Sequence, residues 1–192
     1  QIEVDLSKTK VPIPSQSGGL VYTGTSQSPI WNDYNTVLME MSGDLAKTEI
    51  GTYTALFTLK DPDHYEWEDE SAEPKEIEWQ IKKAAGRLTI FPTTINLTLF
   101  NRTEPISIDR LGDGEIIFES SDPEVATVEL IGTTTIVVSA KSTGVANITI
   151  SVAEGTNYTA ASEKNCFVTV DMIKTKVPIP TQNGSLVYSG SA

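Results

Sequence analysis

Residues 115–130 read Glu115-Ile116-Ile117-Phe118-Glu119-Ser120-Ser121-Asp122-Pro123-Glu124-Val125-Ala126-Thr127-Val128-Glu129-Leu130. Two runs rich in β-branched and aromatic residues flank Ser121-Asp122-Pro123, a turn signal. The stretch therefore predicts a strand over Glu115 to Ser120, a turn, and a strand over Ala126 to Leu130. The same pattern extends outward. Leu88 to Phe91, Ile95 to Phe100, Pro105 to Leu111, Thr135 to Ala140, Ala146 to Val152 and Cys166 to Val170 also read as strands. Upstream, Thr52 to Leu59 places Tyr53, Ala55, Phe57 and Leu59 on one face, and Glu76 to Lys82 alternates with Ile77, Trp79 and Ile81 inward. Thr alone supplies 24 of the 192 residues. A helical turn is expected only within Asp33 to Met41. Short strands with alternating faces and no intervening amphipathic helix predict an all-β chain folded as two tandem antiparallel β-sandwiches.

Length and charge agree with that layout. A chain of 192 residues accommodates two compact units of about 80–100 residues. Fourteen Lys and Arg against 26 Asp and Glu give a net charge of −12. The deficit is even: residues 7–85 hold 7 basic and 13 acidic groups, residues 86–171 hold 5 and 11, so each half carries −6. No basic stripe exists to displace counterions from phosphate, which excludes nucleic-acid binding as an expectation. An anionic membrane surface is disfavoured for the same reason, and no apolar run approaches the roughly 18 residues of a membrane span.

An internal repeat sets the organisation. Residues 4–26 (VDLSKTKVPIPSQSGGLVYTGTS) return as residues 170–192 (VDMIKTKVPIPTQNGSLVYSGSA), an offset of 166 with 15 of 23 positions identical. The repeating element is a cassette of two modules, and such an array is quasi-one-dimensional. Residues 1–7 are expected to be the last strand of a preceding module, 8–85 one module, 86–172 a second, and 173–192 the opening strands of the next repeat. Beginning at Gln1, the chain is expected to be part of a longer one. The boundary between modules falls at Lys82-Lys83-Ala84-Ala85-Gly86. Val-Pro-Ile-Pro, at 11–14 and again at 177–180, enforces extended backbone and removes two N–H donors, so it reads as an edge strand or a stiff link. The partial repeat 173–192 exposes strand edges and is expected to be held by strand pairing with its own or a neighbouring chain.

Phe118-Glu119-Ser120-Ser121-Asp122-Pro123-Glu124-Val125-Ala126-Thr127-Val128, with Gly144-Val145-Ala146-Asn147-Ile148-Thr149-Ile150, Gly155-Thr156-Asn157-Tyr158 and Phe167-Val168-Thr169-Val170, resembles the bacterial immunoglobulin-like domains of group 2, the invasin and intimin type. The resemblance covers about residues 87–171, with Phe118 where the family often carries Trp. Residues 8–85 are similar to a related bacterial Ig-like unit through Leu20 to Gly24, Gln27 to Trp31, Gly51 to Ala55 and Trp79 to Ile81. The resemblance implies two immunoglobulin-like sandwiches and an array outside the cell rather than a catalyst.

Candidate chemistry is sparse. The single histidine, His64, sits in Asp61-Pro62-Asp63-His64-Tyr65, which reads as a hairpin tip without a nucleophile nearby. The single cysteine, Cys166, alternates with Val168 and Val170 and reads as a buried thiol. Nine acids between Asp61 and Glu78 against Lys75 form the one conspicuous cluster. They are either a solvated hairpin face or a weak calcium site drawn from Asp61, Asp63, Glu66, Glu68 and Asp69; no other cofactor is expected. Trp31, Tyr34, Tyr65, Trp67 and Trp79 are core residues or a carbohydrate-stacking platform, Trp79 being the core member and Trp67 the more plausible exposed ring. Five Asn-x-Ser/Thr sequons (Asn96, Asn101, Asn147, Asn157, Asn183) arise easily in Thr-rich strands, and since the resemblance is to bacterial domains they are expected to be incidental.

The expectation is a non-enzymatic extracellular module, a spacer, stalk or adhesion array of a bacterial cell-surface or cell-wall protein. The alternatives are a decoration or host-surface-binding module of a phage tail, carried on the virion, and a carbohydrate-binding module. Expected partners are the neighbouring Ig-like modules of the same chain and a host surface protein or glycan.

Overall fold

A computed structural model describes residues 7–172 together with Thr181, Asn183, Gly184 and Gly190. The two sequence stubs expected to be strands of adjoining modules, at 1–7 and 173–192, lie almost wholly outside the described residues, as does the expected pairing of the second. Among the described residues there is no helix, only sixteen strands.

In the first unit, β6 (Gly51–Leu59) lies antiparallel between β5 (Met39–Gly43) and β8 (Lys75–Lys82), and β3 (Leu20–Val21) adds to β8 in parallel. Two short ribbons complete the unit: β1 (Thr9–Val11) parallel to β7 (Tyr65–Trp67), and β2 (Ser15–Ser17) antiparallel to β4 (Ile30–Asn32). Strand alternation aims Ala55, Phe57 and Leu59 from β6 and Trp79 and Ile81 from β8 into one core, where they meet Met39, Val11 and Trp67. Tyr53 faces Trp79 across the β6–β8 ladder, ring centroids 4.9 Å apart. Each buried indole also finds an acceptor: Trp79 Nε1 donates to the Asp44 carbonyl and Trp67 Nε1 to the Glu73 carbonyl, both at 2.8 Å. Burying those N–H groups without a partner would cost about 1–3 kcal/mol each.

The second unit is a more regular sandwich. One sheet runs β10 (Thr94–Thr98), β16 (Ala161–Asp171), β15 (Gly144–Val152), β12 (Ile116–Ser120); the other runs β13 (Ala126–Ile131), β14 (Thr135–Ala140), β11 (Thr103–Leu111), β9 (Arg87–Phe91). All pairings are antiparallel except β10 with β16. The inner faces of both sheets close one apolar core, in which Ile106, Ile136, Val138, Ile148, Ile150 and Cys166 are fully buried and Phe118 packs at its margin. The fold is all-β, two immunoglobulin-like sandwiches in tandem.

Three details differ from expectation, and a fourth decides between two readings. The turn expected in Asp33 to Met41 is a single hydrogen-bonded turn, with Leu38 and Met39 N–H donating to the Asn35 carbonyl, and Met39 already begins β5. Trp67 is fully buried, not exposed: it is the one buried residue of β7, between the half-buried Glu66 and the exposed Glu68 just past the strand end. Asp61–Tyr65 is not a hairpin tip, because β7 leaves β6 and pairs with β1. Finally, of the two readings of Val-Pro-Ile-Pro, the first copy fits the edge strand: it begins at the end of β1, which pairs with β7 alone. Val11 is a buried core residue of β1, and Pro12–Pro14 carry the chain to β2 within the first sandwich; its second copy lies outside the described residues.

Candidate functional site

Among the described residues, those that connect the sandwiches form a specific polar and aromatic assembly. The link runs from Lys83 to Gly86, between the end of β8 and the start of β9. Four residues span at most about 14 Å, and a loop of the second sandwich, Gly155–Thr159 between β15 and β16, is folded against the link. Ala84 N–H donates to the Asn157 carbonyl at 3.0 Å and Thr159 N–H to the Ala84 carbonyl at 2.9 Å, a parallel bridge between Ala84 and Tyr158. Gly86 N–H donates to Thr159 Oγ1 at 3.3 Å. Lys83 Nζ donates to the Gly155 carbonyl at 2.7 Å and forms an ion pair with Glu154.

An aromatic contact spans the same joint. Tyr22 N–H donates to the Lys82 carbonyl at 2.8 Å, so Tyr22 sits beside the strand end from which the link departs, and its ring packs on the first core. The Tyr158 ring meets it edge to face, centroids 5.7 Å apart at 86°. Such a pair contributes about 0.5–1.5 kcal/mol beyond its burial. The half-exposed Lys83–Glu154 pair contributes about 0–1 kcal/mol, so the backbone bridge and the ring pair define the geometry.

Two glycines permit the close approach. A Cβ on Gly86 would lie 2.2 Å from the Thr159 carbonyl oxygen, and one on Gly155 2.0 Å from Asp113 Oδ1. Asp113 braces the loop from below: its Oδ2 accepts from Asn157 N–H at 2.8 Å. Desolvation pushes the Asp113 carboxyl up, but the backbone N–H groups of Asn157, Asp113, Tyr158 and Thr156 outweigh it and hold its pKa below the ordinary carboxylate range. A carboxyl depressed by folding adds stability above its unfolded pKa of about 3.9 and loses it as pH falls through the folded value. As pH falls below the ordinary carboxylate range and through that lowered folded value, therefore, the Asn157 amide is expected to lose protection and shift in NMR spectra. In Asp113→Asn that pH-dependent shift should be absent.

The other candidates are placed differently. The acidic stretch is divided between β7, β8 and their loops, and its charges are paired or splayed. Asp61 binds His64 Nδ1 at 2.8 Å, Asp69 binds Lys75 at 2.6 Å and Glu70 binds Lys10 at 2.8 Å. Lys75 and Ser71 draw the Asp69 carboxyl down to about 2. Asp63, Glu66 and Glu68 do not join them, and among the described residues no three acids, histidines or cysteines converge to hold an ion. Trp67 and Trp79 are core, Trp31 and Tyr34 pack edge to face on Phe57, and Tyr65 lies at the core margin. These five rings form no common exposed platform. Cys166 is buried, and desolvation pushes its thiol up to about 11. Sequence reading identified the link but not its docking partner, because Tyr158 lies more than 70 residues downstream and no local pattern marks it as the counterpart of Tyr22.

No family model matches the chain, and no curated protein matches it in sequence. Solved structures do. Domains 4 and 5 of the S-layer protein SbsC align over 82% of this chain and 96% of theirs, with 13% identity and a TM-score of 0.40. Fibronectin(III)-like modules of Clostridium thermocellum CbhA align over 88% of this chain and 100% of theirs, with 10% identity and a TM-score of 0.36. The D00-D0 domain of intimin aligns over 80% and 99%, with 9% identity and a TM-score of 0.30. The likeness is one of fold.

Proposed function

We propose that this chain is a non-enzymatic spacer and adhesion module of an extracellular bacterial surface protein, in which the two sandwiches act as one stiff unit. The observation that carries the proposal is the clamp of the 155–159 loop on the interdomain link. Domains joined by a plain linker move relative to one another by default. Here a backbone bridge, a ring pair and a lysine that reaches across to Gly155 oppose that motion. The 166-residue repeat supports multiplication of the unit along a longer chain, and the resemblance to group 2 bacterial Ig-like domains supports a place outside the cell.

Small-angle scattering on chains of one, two and three cassettes tests this. The maximum dimension should grow by a constant increment per cassette, with a rod-like cross-section. A profile that becomes compact as cassettes are added would overturn the proposal.

A further inference from the structure

The first sandwich carries an open pocket of about 440 Å³ between the β1–β2 connection and the loop from β4 to β5. That lies within the range of small-ligand sites, roughly 300–1,000 Å³. Its wall is chemically mixed. Val11, Pro12 and Leu38 give an apolar side, and Asp33, Tyr34 and Asn35 give a polar one. Asp33 is held at φ 60°, in the left-handed region, and its carboxylate has no hydrogen-bond or ion-pair partner among the described residues. The Tyr34 ring is braced edge to face on Phe57, centroids 5.5 Å apart, while its hydroxyl also lacks a partner among the described residues. Asn35 uses Oδ1 to accept from Val37 N–H at 2.9 Å, which leaves its amide donors to face solvent.

We propose that this pocket is a subsite for one neutral sugar residue of a glycan. A carboxylate accepts from two vicinal hydroxyls, the Asn35 amide donates to a ring or hydroxyl oxygen, and the Tyr34 hydroxyl does either. On the apolar side, Pro12 and Leu38 are the surface-accessible side chains, Val11 being buried beneath them, and they suit the C–H face of a pyranose. Anionic sugars are disfavoured, because no cation lines the pocket. Lys60, which reaches its wall, is bound to the Thr36 carbonyl at 2.6 Å, and Lys10 is engaged with Glu70. The inference does not rest on the spacer role: a stiff module serves equally with this pocket empty. Of its wall, Val11-Pro12 recurs as Val177-Pro178 at the cassette offset.

The test is a titration of the ¹⁵N-labelled chain with glucose, galactose, mannose, N-acetylglucosamine and its β1,4-linked dimer, followed by amide shifts. At least one sugar is expected to shift the amides of Asp33 to Leu38 and Val11, with a Kd on the order of 1 mM, because few polar groups engage. Asp33→Asn tolerates the left-handed backbone, and Tyr34→Phe keeps the ring on Phe57. Asp33→Asn should weaken binding about tenfold or more, the loss of a hydrogen bond to a charged group, and Tyr34→Phe should weaken it measurably. No shifts with any sugar, shifts confined to other surfaces, or binding indifferent to both substitutions would overturn the subsite. Shifts with putrescine or calcium but with no sugar would overturn the ligand class.

Discussion

Trp79→Ala unfolds the first sandwich and leaves the second standing. Trp79 is 1% exposed, contacts Tyr53 across the ladder and donates to the Asp44 carbonyl. Removing a buried Trp side chain costs about 3–5 kcal/mol. A unit of about 80 residues has roughly 4–12 kcal/mol in total, at about 0.05–0.15 kcal/mol per residue. The first sandwich is the more vulnerable of the two, since among the described residues eight buried apolar residues form its core against nineteen in the second. Its second layer is also only two short ribbons. In the variant, dispersed amide signals from residues 87–171 should persist while those from 8–82 collapse, and the thermal melt should retain only the transition of the second sandwich. Loss of both sets together would show that the sandwiches form one cooperative unit.

Where the sequence repeats a local period, it was legible. Tyr53 to Leu59, Ile77 to Ile81 and Cys166 to Val170 each alternate over enough residues for one face to declare itself, and the faces found inside are those expected. Legibility failed where a position depends on a distant partner. In Tyr65-Glu66-Trp67 three residues are too few to reveal a period, and the flanking acids suggested solvent, whereas pairing with β1 turns Trp67 into the core. Val-Pro-Ile-Pro has the composition of a linker, yet the same parallel pairing makes Val11 part of the first core. The acidic run read as one hairpin face because sequence proximity suggested one surface. The chain distributes it over two sheets, pairs two of its acids with separate lysines and hydrogen-bonds a third to His64. At the joint, Lys83 and Gly86 were visible as a boundary. Their function as a docking strip depends on a loop about 70 residues later, and only the fold brings the two together.

Gly86→Val should separate the motions of the sandwiches while leaving each folded. The new Cβ would lie 2.2 Å from the backbone oxygen of Thr159, and a main-chain atom cannot move aside as a flexible side-chain end can. Either the link or the 155–159 loop must shift, and both bonds of the Ala84–Tyr158 bridge lie within two residues of the collision. Overpacking of this kind costs about 1–3 kcal/mol, comparable to the Tyr22–Tyr158 pair and the Lys83 contacts together, so the clamp opens in preference to either core unfolding. Residual dipolar couplings should then fit two independent alignment tensors instead of one, and ¹⁵N relaxation should report faster tumbling for each unit. Tyr158→Ala should move both readouts in the same direction by less, since it removes the ring pair, worth about 0.5–1.5 kcal/mol, and spares the backbone bridge. A single tensor retained in Gly86→Val would mean that the clamp does not set the angle between the sandwiches. The stiffness of the array would then have to come from the other joint in each cassette.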